Sequence, residues 1–380
     1  MKLYRFAAVP TLLLAGSLAL AACGSDNNDN SGGSNNTPSS SGDTTSASAS
    51  GDASGFTCAT GQLQTDGSSA QKPAFNAWIQ AYETKCSGAQ INYGGNGSGA
   101  GVTAFTQKQV PLAGSDSHLK PEQQGPADKA CPGGKAVDIP MVATPVAIVY
   151  NVSGVKDLTL TPQAIAKIFA GKVKKWNDPA IADSNKGVSL PSTSITTVHR
   201  SKDSGTTDNF AKFLDAQAKS DWTYGTGQTW TAPGGTGAAD SGAMVTQVKQ
   251  ADGSIGYVDS PDATKNSLNV AKLDVGAGPV ALSADSVAAG LSAAKVTSSG
   301  GDVQVTLNYG LKEKGAYPAL LVTYEITCTK GLSADQAKFV KSFLTYTSTD
   351  GQSLLTPLGH FPLPADMLAQ AKAAVAALQG

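Results

Sequence analysis

The chain has 380 residues, and its 28 Lys and Arg residues nearly balance its 29 Asp and Glu residues, so that the net charge near pH 7 is −1. This balance, together with the lack of a basic stripe, excludes the electrostatic footprint of a nucleic-acid-binding protein. The part beyond the N-terminal region, residues 56–380, is longer than one core usually requires and is expected to form two domains.

The N-terminus has the pattern of a secretory signal. Two positive charges, Lys2 and Arg5, precede an apolar run over residues 6–20, which is too short to span a bilayer comfortably. Small residues then lead to Cys23, and this stretch resembles a bacterial lipobox. We therefore expect a signal peptide over residues 1–22 and a lipid attached to Cys23. An ordinary signal peptide that is cut nearby is the alternative.

A polar segment follows the lipobox. Residues 24–55 consist almost wholly of Ser, Gly, Asn, Asp, Thr and Ala, without apolar periodicity. We expect residues 23–55 to form a disordered tether with a reach of roughly 30 Å. Such a tether would hold a folded body at the outer face of the cell membrane, facing the periplasm where an outer membrane is present.

Four cysteines remain besides Cys23, and an even number in an exported protein favours two disulfides. A predicted strand over residues 56–64 and a predicted helix over residues 73–85 cover similar distances in opposite directions. The helix should therefore return to the start of the strand, which favours the pair Cys58–Cys86, and the pair Cys131–Cys328 follows by elimination. Free thiols or a metal site are the alternatives. Because no Cys or His spacing matches a zinc motif, we expect no metal and no cofactor.

Strands and helices alternate along the rest of the chain, which predicts an α/β fold. Thr161 before Pro162 marks a helix start, and Ser333 marks another. Further predicted strands cover residues 90–93, 137–152 (one strand or two), 195–199, 254–258 and 320–327. Further predicted helices cover residues 102–108, 162–170, 206–218 and 334–346.

Arginine is almost absent from the chain. Arg5 leaves with the signal peptide, so Arg200 is the single arginine of the mature protein. Its planar five-donor fork binds oxyanions in a bidentate manner, which lysine cannot do. Arg200 ends a predicted strand, and a Ser-Gly-Thr turn and a helix follow it; free N–H groups and the helix dipole favour an anion there. A structural ion pair for Arg200 and plain capping by Ser204 or Thr206 are the alternatives.

Two other turns have similar chemistry. The Gly-rich segment at 94–101 contains Ser98 and follows a strand, and its glycines permit close approach of the backbone to a ligand. It lacks the Lys-Ser/Thr ending of a P-loop nucleotide site. The turn at 66–70 could supply the hydroxyl of Ser69 and N–H groups of the next helix, although capping alone would also account for it.

An acid, Asp116, lies among these anion-binding turns. A buried carboxylate can accept a hydrogen bond from the O–H of phosphate near neutral pH, and it repels sulfate, which carries no proton. Asp116 would then select a protonated oxyanion. Capping of the next turn is the alternative role.

Taken in order, several motifs resemble the PstS family of periplasmic binding proteins, the phosphate-binding lipoproteins of the phosphate-specific ABC transporter. The resemblance covers residues 65–363, nearly all of the expected folded body. The set of motifs is specific, although no single member is. The motifs are Asp-Gly-Ser-Ser at 66–69, Gly-Asn-Gly-Ser-Gly-Ala-Gly at 95–101, Gly-Ser-Asp at 114–116, Ile-Phe-Ala-Gly-Lys at 168–172, Lys-Trp-Asn-Asp-Pro at 175–179, His-Arg-Ser-Lys-Asp-Ser-Gly-Thr at 199–206 and Gly-Ser-Ile-Gly-Tyr-Val at 253–258.

The resemblance implies a set of phosphate ligands in this chain. Ala70 and Gly205 would contribute their backbone N–H groups and the others their side chains. The implied ligands are Ser69, Ala70, Ser98, Asp116, Arg200, Ser204, Gly205 and Thr206. Relatives commonly have Thr and Phe at positions 69 and 70. They also commonly carry an acid two residues after the arginine, which pairs with it; here that position is Lys202, and the acid is Asp203.

The same resemblance implies a type II periplasmic-binding-protein fold, in which a two-strand hinge joins two α/β domains with the ligand between them. Domain I would comprise residues 56–141 and 318–380, and domain II would comprise residues 142–317. The protein would be a monomer that captures inorganic phosphate and delivers it to ABC permease subunits, and through them to the ATPase, without being an enzyme.

Three alternative functions also fit the sequence. An exported hydrolase such as a phosphatase would also have phosphate-cradling turns, but it needs a metal cluster or a nucleophile with a base, and His118, His199 and His360 are far apart in the sequence. His199 is expected to pack rather than catalyse, since it faces away from Arg200 on a strand. A different solute, such as molybdate, sulfate or a sugar, is the second reading. Phosphate sensing instead of import is the third.

Overall fold

The computed structural model describes residues 56–379. The predicted signal peptide, lipid attachment at Cys23 and tether lie outside the described residues. None of the helices in the described part of the chain has both the length and the hydrophobicity that a membrane span requires.

The described chain alternates between strands and helices. The strands are β1 (Gly61–Gly67), β2 (Ala89–Tyr93), β3 (Leu112–Ser115), β4 (Ala136–Asn151), β5 (Thr159–Leu160), β6 (Thr196–Arg200), β7 (Thr236–Ala238), β8 (Ser254–Asp259), β9 (Asn269–Val270), β10 (Lys272–Leu273), β11 (Lys295–Ser299), β12 (Asp302–Thr306) and β13 (Leu320–Cys328). The helices are α1 (Lys72–Lys85), α2 (Ser98–Thr106), α3 (Pro121–Ala130), α4 (Pro162–Phe169), α5 (Pro179–Ala182), α6 (Gly205–Ala218), α7 (Ser241–Gln250), α8 (Ser260–Lys265), α9 (Ala284–Ser292), α10 (Ala334–Ser348) and α11 (Ala365–Ala377). Two 3-10 helices lie before α11, at Asp350–Leu354 and Thr356–Leu358.

One mixed sheet organises the fold, with the strand order β2-β1-β3-β13-β4-β8-β6-β7 and with β9 paired to β4. In its first half β1, β2 and β3 are mutually parallel, and in its second half β6, β7 and β8 are mutually parallel. The antiparallel strands β13 and β4 lie between the two halves. Ligands of open α/β sheets bind at the carboxyl ends of parallel strands, so each half offers one such edge.

The strand β4 belongs to both halves of the sheet. Residues 136–145 pair with β13, and residues 146–151 pair with β8. Fifteen of its 16 residues are buried, which accounts for its continuous apolar sequence. The register with β13 shifts at Met141, which has no partner: Thr323 lies opposite Val142, and Tyr324 lies opposite Pro140, which has no N–H for the ladder. The switch of partners within β4 accords with two α/β domains that share strands, and the boundaries at 141/142 and 317/318 stay predictions.

Most of the predicted elements occur near their expected positions. The stretch over 137–152 is one strand rather than two, and Thr161 caps α4 through a hydrogen bond from Ala164 N to its Oγ1 at 3.1 Å. The first strand was predicted wrongly: it begins at Gly61 and ends at Gly67, and residues 56–60 form no strand. The helix predicted at 102–108 begins earlier, at Ser98, because Gly97 adopts a φ of 115° as its N-cap and permits the turn.

Both predicted disulfides are present. Cys58 pairs with Cys86, with 5.2 Å between their Cα atoms, and Cys131 pairs with Cys328, with 5.4 Å. The first joins the segment before β1 to the end of α1. The second joins the end of α3 to the end of β13, which are 197 residues apart in sequence. The long-range bridge constrains the unfolded chain most, because it closes the larger loop.

Candidate anion-binding site

The predicted ligand residues lie where parallel strands end. Ser69 follows β1, Ser98 follows β2 and Asp116 follows β3, while Arg200 is the last residue of β6. Ser204 caps the helix after β6, and Gly205 and Thr206 begin it. All eight predicted ligands, Ala70 included, are buried. The two carboxyl-end edges of the sheet thus face one another across these side chains.

Arg200 joins the two halves of the site. It is 2% exposed, and its Nη1 donates to Ser69 Oγ and to Ser204 Oγ, each at 3.0 Å. Nη2 donates to the carbonyl oxygen of Ala239 at 3.3 Å, and Nε has no partner among the described residues. A buried guanidinium with an unused donor can bind an oxyanion at little further desolvation.

The sequence left the orientation of Arg200 open, because the acid that relatives carry two residues after the arginine is shifted here to Asp203. Asp203, the shifted acid, is exposed and accepts a hydrogen bond from Thr229 Oγ1 at 2.7 Å. It packs against Gly99 and does not pair with Arg200. Lys202 is also exposed. Two hydroxyls and a carbonyl oxygen hold the guanidinium, so no acid next to it in sequence is needed.

Helix N-termini converge on the same place. Ser98 is the first residue of α2 and Gly205 the first of α6, and the leading N–H groups of a helix have no partner within it. A Cβ built on Gly205 would lie 2.5 Å from Cβ of Asp116 and 2.7 Å from Oγ of Ser98. Only glycine permits this approach of α6 to the first half of the sheet. Ala70 is less available than predicted, since its N–H donates to Ser68 Oγ at 3.1 Å.

Asp116 is a buried acceptor. Its oxygens accept hydrogen bonds from Thr323 Oγ1 at 2.9 Å and from Ser98 Oγ at 3.2 Å. Burial raises the pKa of Asp116, and hydrogen bonds from Ser68, Thr323 and Ser98 with the charge of Arg200 partly offset that rise. A carboxylate in this setting favours a ligand that donates a proton to it.

Two further site residues were missed by the sequence reading. Ser241, the first residue of α7, has its Oγ 3.0 Å from Ser69 Oγ, and it donates to Asp259 Oδ2 at 3.3 Å. Thr206 Oγ1 lies 3.4 Å from Asp259 Oδ1. Asp259 directly follows the motif at 253–258, so the rule that sites lie at strand ends could have found it. The signal for Ser241 was weaker, because β7 has three residues and was not predicted.

The three histidines have separate roles in packing. His199 stacks on Trp230, with ring centroids 4.9 Å apart, as expected for a side chain that faces away from Arg200. His118 meets the edge of Tyr324, and His360 is buried against Thr144. Among residues 56–379, no group of three or more His, Cys, Asp or Glu side chains could hold a metal ion.

Known proteins resemble this chain along its length. A family model described as a PBP superfamily domain matches residues 44–350. Phosphate-binding protein PstS 3 of Mycobacterium leprae is 39% identical over 370 residues, which cover 96% of each chain. Phosphate-binding protein PstS 2 of Mycobacterium tuberculosis is 37% identical over 386 residues, which cover 100% of each. Phosphate-binding protein PstS of Xylella fastidiosa is 32% identical and covers 79% of this chain and 81% of that protein.

Solved structures share the fold. A high affinity periplasmic phosphate-binding protein bound with phosphate superposes with a TM-score of 0.67 at 24% identity, covering 82% of this chain and 93% of that one. A phosphate-binding protein from Stenotrophomonas maltophilia gives a TM-score of 0.63 at 20% identity, covering 83% and 94%. These neighbours have the two-domain periplasmic-binding-protein fold that the sequence predicted. From the matched superfamily model and the full-length relatives together, the chain belongs to the PstS family of phosphate-binding proteins.

Proposed function

We propose that this protein captures inorganic phosphate between the two halves of its sheet and delivers it to the permease of an ABC transporter for import. The observation that carries the proposal is the buried Arg200, which contacts Ser69 from the first half and Ser204 from the second. Membership of the PstS family supports phosphate as the ligand. The protein would act as a lipid-anchored monomer on the outer face of the membrane, and it would bind phosphate without turnover.

The proposed ligands are the eight residues named from the family motifs. A tetrahedral oxyanion would accept from Arg200, from the hydroxyls of Ser69, Ser98, Ser204 and Thr206, and from N–H groups at the start of α6. On binding, these side chains would give up the hydrogen bonds that they make with one another and would donate to the oxyanion instead. Asp116 would accept from the protonated oxygen of phosphate, so sulfate would be bound poorly.

Parallel calorimetric titrations with phosphate and sulfate test this proposal. The full chain, first freed of phosphate by dialysis, should bind phosphate at least about a hundredfold more tightly than sulfate, since an unpaired buried acid disfavours sulfate by roughly 3 kcal/mol. The variant Asp116→Asn should lose much of this discrimination, because an amide can donate to sulfate. Tighter binding of sulfate than of phosphate by the wild type would refute the proposal.

A separate experiment tests the alternative hypothesis that the protein is a hydrolase. We expect no release of phosphate from a general ester substrate such as p-nitrophenyl phosphate. Turnover that disappears in Asp116→Asn would show an enzyme and would overturn the transport proposal, whereas phosphate binding without turnover supports it.

A further inference from the structure

Asp259 ends a directed chain of hydrogen bonds that begins at Arg200. The guanidinium donates to Ser69 Oγ at 3.0 Å, Ser69 and Ser241 lie 3.0 Å apart, and Ser241 Oγ donates to Asp259 Oδ2 at 3.3 Å. Each hydroxyl has one proton to donate, so the chain runs in one direction and stops at a carboxylate. Asp259 is 0% exposed, yet it is connected to a proposed phosphate ligand through one hydroxyl.

The charges around this chain are unbalanced. Arg200 is the only cation among the eight proposed phosphate ligands, and it faces two buried acids, Asp116 and Asp259. Phosphate at alkaline pH would bring two further negative charges. Burial of uncompensated charge is costly, and a buried acid retains a proton instead where it can. Since Nε of Arg200 has no partner within residues 56–379, the guanidinium has a free donor for a ligand in this place.

We propose that Asp259 is a second specificity carboxylate, an inference that rests on the proposed function. Asp259 shares a proton with one oxygen of bound phosphate, and Asp116 accepts a hydrogen bond from another oxygen. The complex then contains dihydrogen phosphate between two carboxylates, or equivalently hydrogen phosphate beside a protonated Asp259. Ser241 holds that carboxylate in place when Thr206, which contacts Asp259 in the ligand-free protein, turns its hydroxyl to phosphate.

The groups around Asp259 agree with a retained proton. Burial and the neighbouring carboxylate of Asp116 raise the pKa of Asp259 well above its usual range, Asp262 raises it further, and the charge of Arg200 opposes the rise. Asp116, Asp262 and Arg200 face Asp259, and Tyr257 lies on the same strand. Asp262 in turn faces Asp240 and the cation Lys265, which also lies on α8. Among the described residues, Arg200 is the only cation that acts directly on Asp259.

This arrangement predicts how phosphate affinity depends on pH. At alkaline pH both free phosphate and free Asp259 lose the proton that the complex requires, so it must be taken up from solution. The dissociation constant should then rise by up to about tenfold per pH unit. In Asp259→Asn no such proton is required, so hydrogen phosphate should bind with little dependence on alkaline pH.

Calorimetry from about pH 7 to about pH 9.5, in buffers of different ionisation enthalpy, measures both affinity and proton uptake. We expect uptake approaching one proton for the full-length wild type and close to none for Asp259→Asn. The matched control Asp262→Asn lies one turn away on α8; the pKa of Asp262 is raised to about 6, mainly by burial, so this acid is ionised throughout. Because its charge raises the pKa of Asp259, its removal should move the alkaline decline to lower pH but leave the uptake of one proton in place.

If Asp259→Asn does not fold, the same calorimetric measurements on Ser241→Ala test the proposal. It removes one hydrogen bond to Asp259 without a change of charge, so the alkaline decline should move to higher pH. Equal proton uptake by wild type and Asp259→Asn, or an unmoved decline in Ser241→Ala, would overturn the role of Asp259 while leaving phosphate binding intact. A wild type that binds no phosphate at any pH would instead overturn the proposed function itself.

Discussion

Single residues in this protein have environments that their sequence neighbours do not reveal. Asp203 stands near the position where relatives place a partner for the arginine, yet it is exposed and bonded to Thr229. Arg200 is held instead by Ser69, Ser204 and the carbonyl of Ala239. Ser204 is four residues from Arg200 in the sequence, but Ala239 is 39 residues away and Ser69 is 131 residues away. Local sequence patterns cannot reveal the two distant partners.

Asp138 gives a prediction about stability and pH. Burial raises its pKa to about 8, and its Oδ1 has no partner among the described residues. An acid with a raised folded pKa keeps its proton in the folded protein and loses it in the unfolded chain. Its contribution to stability therefore falls as pH rises from its unfolded pKa near 4 to its folded pKa, by about 1.4 kcal/mol per pH unit.

The variant Asp138→Asn should remove this dependence. Its amide oxygen can keep the hydrogen bond from Leu119 N, which now goes to Oδ2 at 3.0 Å. We expect its unfolding free energy, measured in denaturant titrations, to gain on that of the wild type steadily between pH 5 and pH 8. A constant difference across that range would show that Asp138 is ionised in the folded protein.

At the scale of elements, the start of α6 controls how closely the halves of the site approach. In Gly205→Ala the new Cβ would meet Asp116 and Ser98 at less than 3 Å. We expect phosphate affinity to fall by at least about tenfold because α6 must move away from Asp116. Calorimetry on the variant measures the loss.

The matched control is Gly242→Ala, near the start of α7. A Cβ there would meet only Asp240 Oδ1, at 3.4 Å. This variant should bind phosphate as the wild type does, and a helix can gain roughly 0.5–1 kcal/mol from such a change. Similar affinities in both variants would mean that the contact at Gly205 does not matter for binding.

The sequence predicted the elements with strong local signals and missed those without them. Thr161 and Ser333 marked helix starts, and the apolar run over 137–152 marked the buried strand. Helix α3 was missed because Gly125 and Pro126 lie inside it. The hairpin of β11 and β12 has an exposed first strand with little apolar alternation, so nothing in its pattern indicated a strand.

The same limit applies to the candidate site. Seven of its predicted ligands are Arg200 itself or residues of Ser/Gly turns, and these residue types indicate anion binding. Asp116 was noticed because an acid is unexpected among anion-binding turns. Asp259 and Ser241 look ordinary in sequence. Their importance comes from the sheet, which brings the ends of β7 and β8 next to the end of β6.

For the whole molecule, the shared strand β4 predicts a hinge. Contacts between the halves include the bond from Ser117 Oγ to Asp208 Oδ2 at 2.7 Å and that from Asn209 Nδ2 to the carbonyl oxygen of Asp116 at 2.7 Å. A ligand that bridges the halves favours this arrangement. In small-angle scattering, phosphate should reduce the radius of gyration of the wild type and sulfate should not. No change with saturating phosphate would contradict hinge closure.

The central claim is that this protein binds phosphate through Arg200, the only arginine among the residues that the structure describes. Calorimetric titration of phosphate into the full-length wild type, Arg200→Lys and Lys202→Ala tests it most directly. We expect one phosphate per chain for the wild type, unchanged affinity for Lys202→Ala at an exposed position, and at least about a hundredfold loss for Arg200→Lys, because an ammonium cannot reproduce the planar fork. Wild-type affinity in Arg200→Lys would contradict the account.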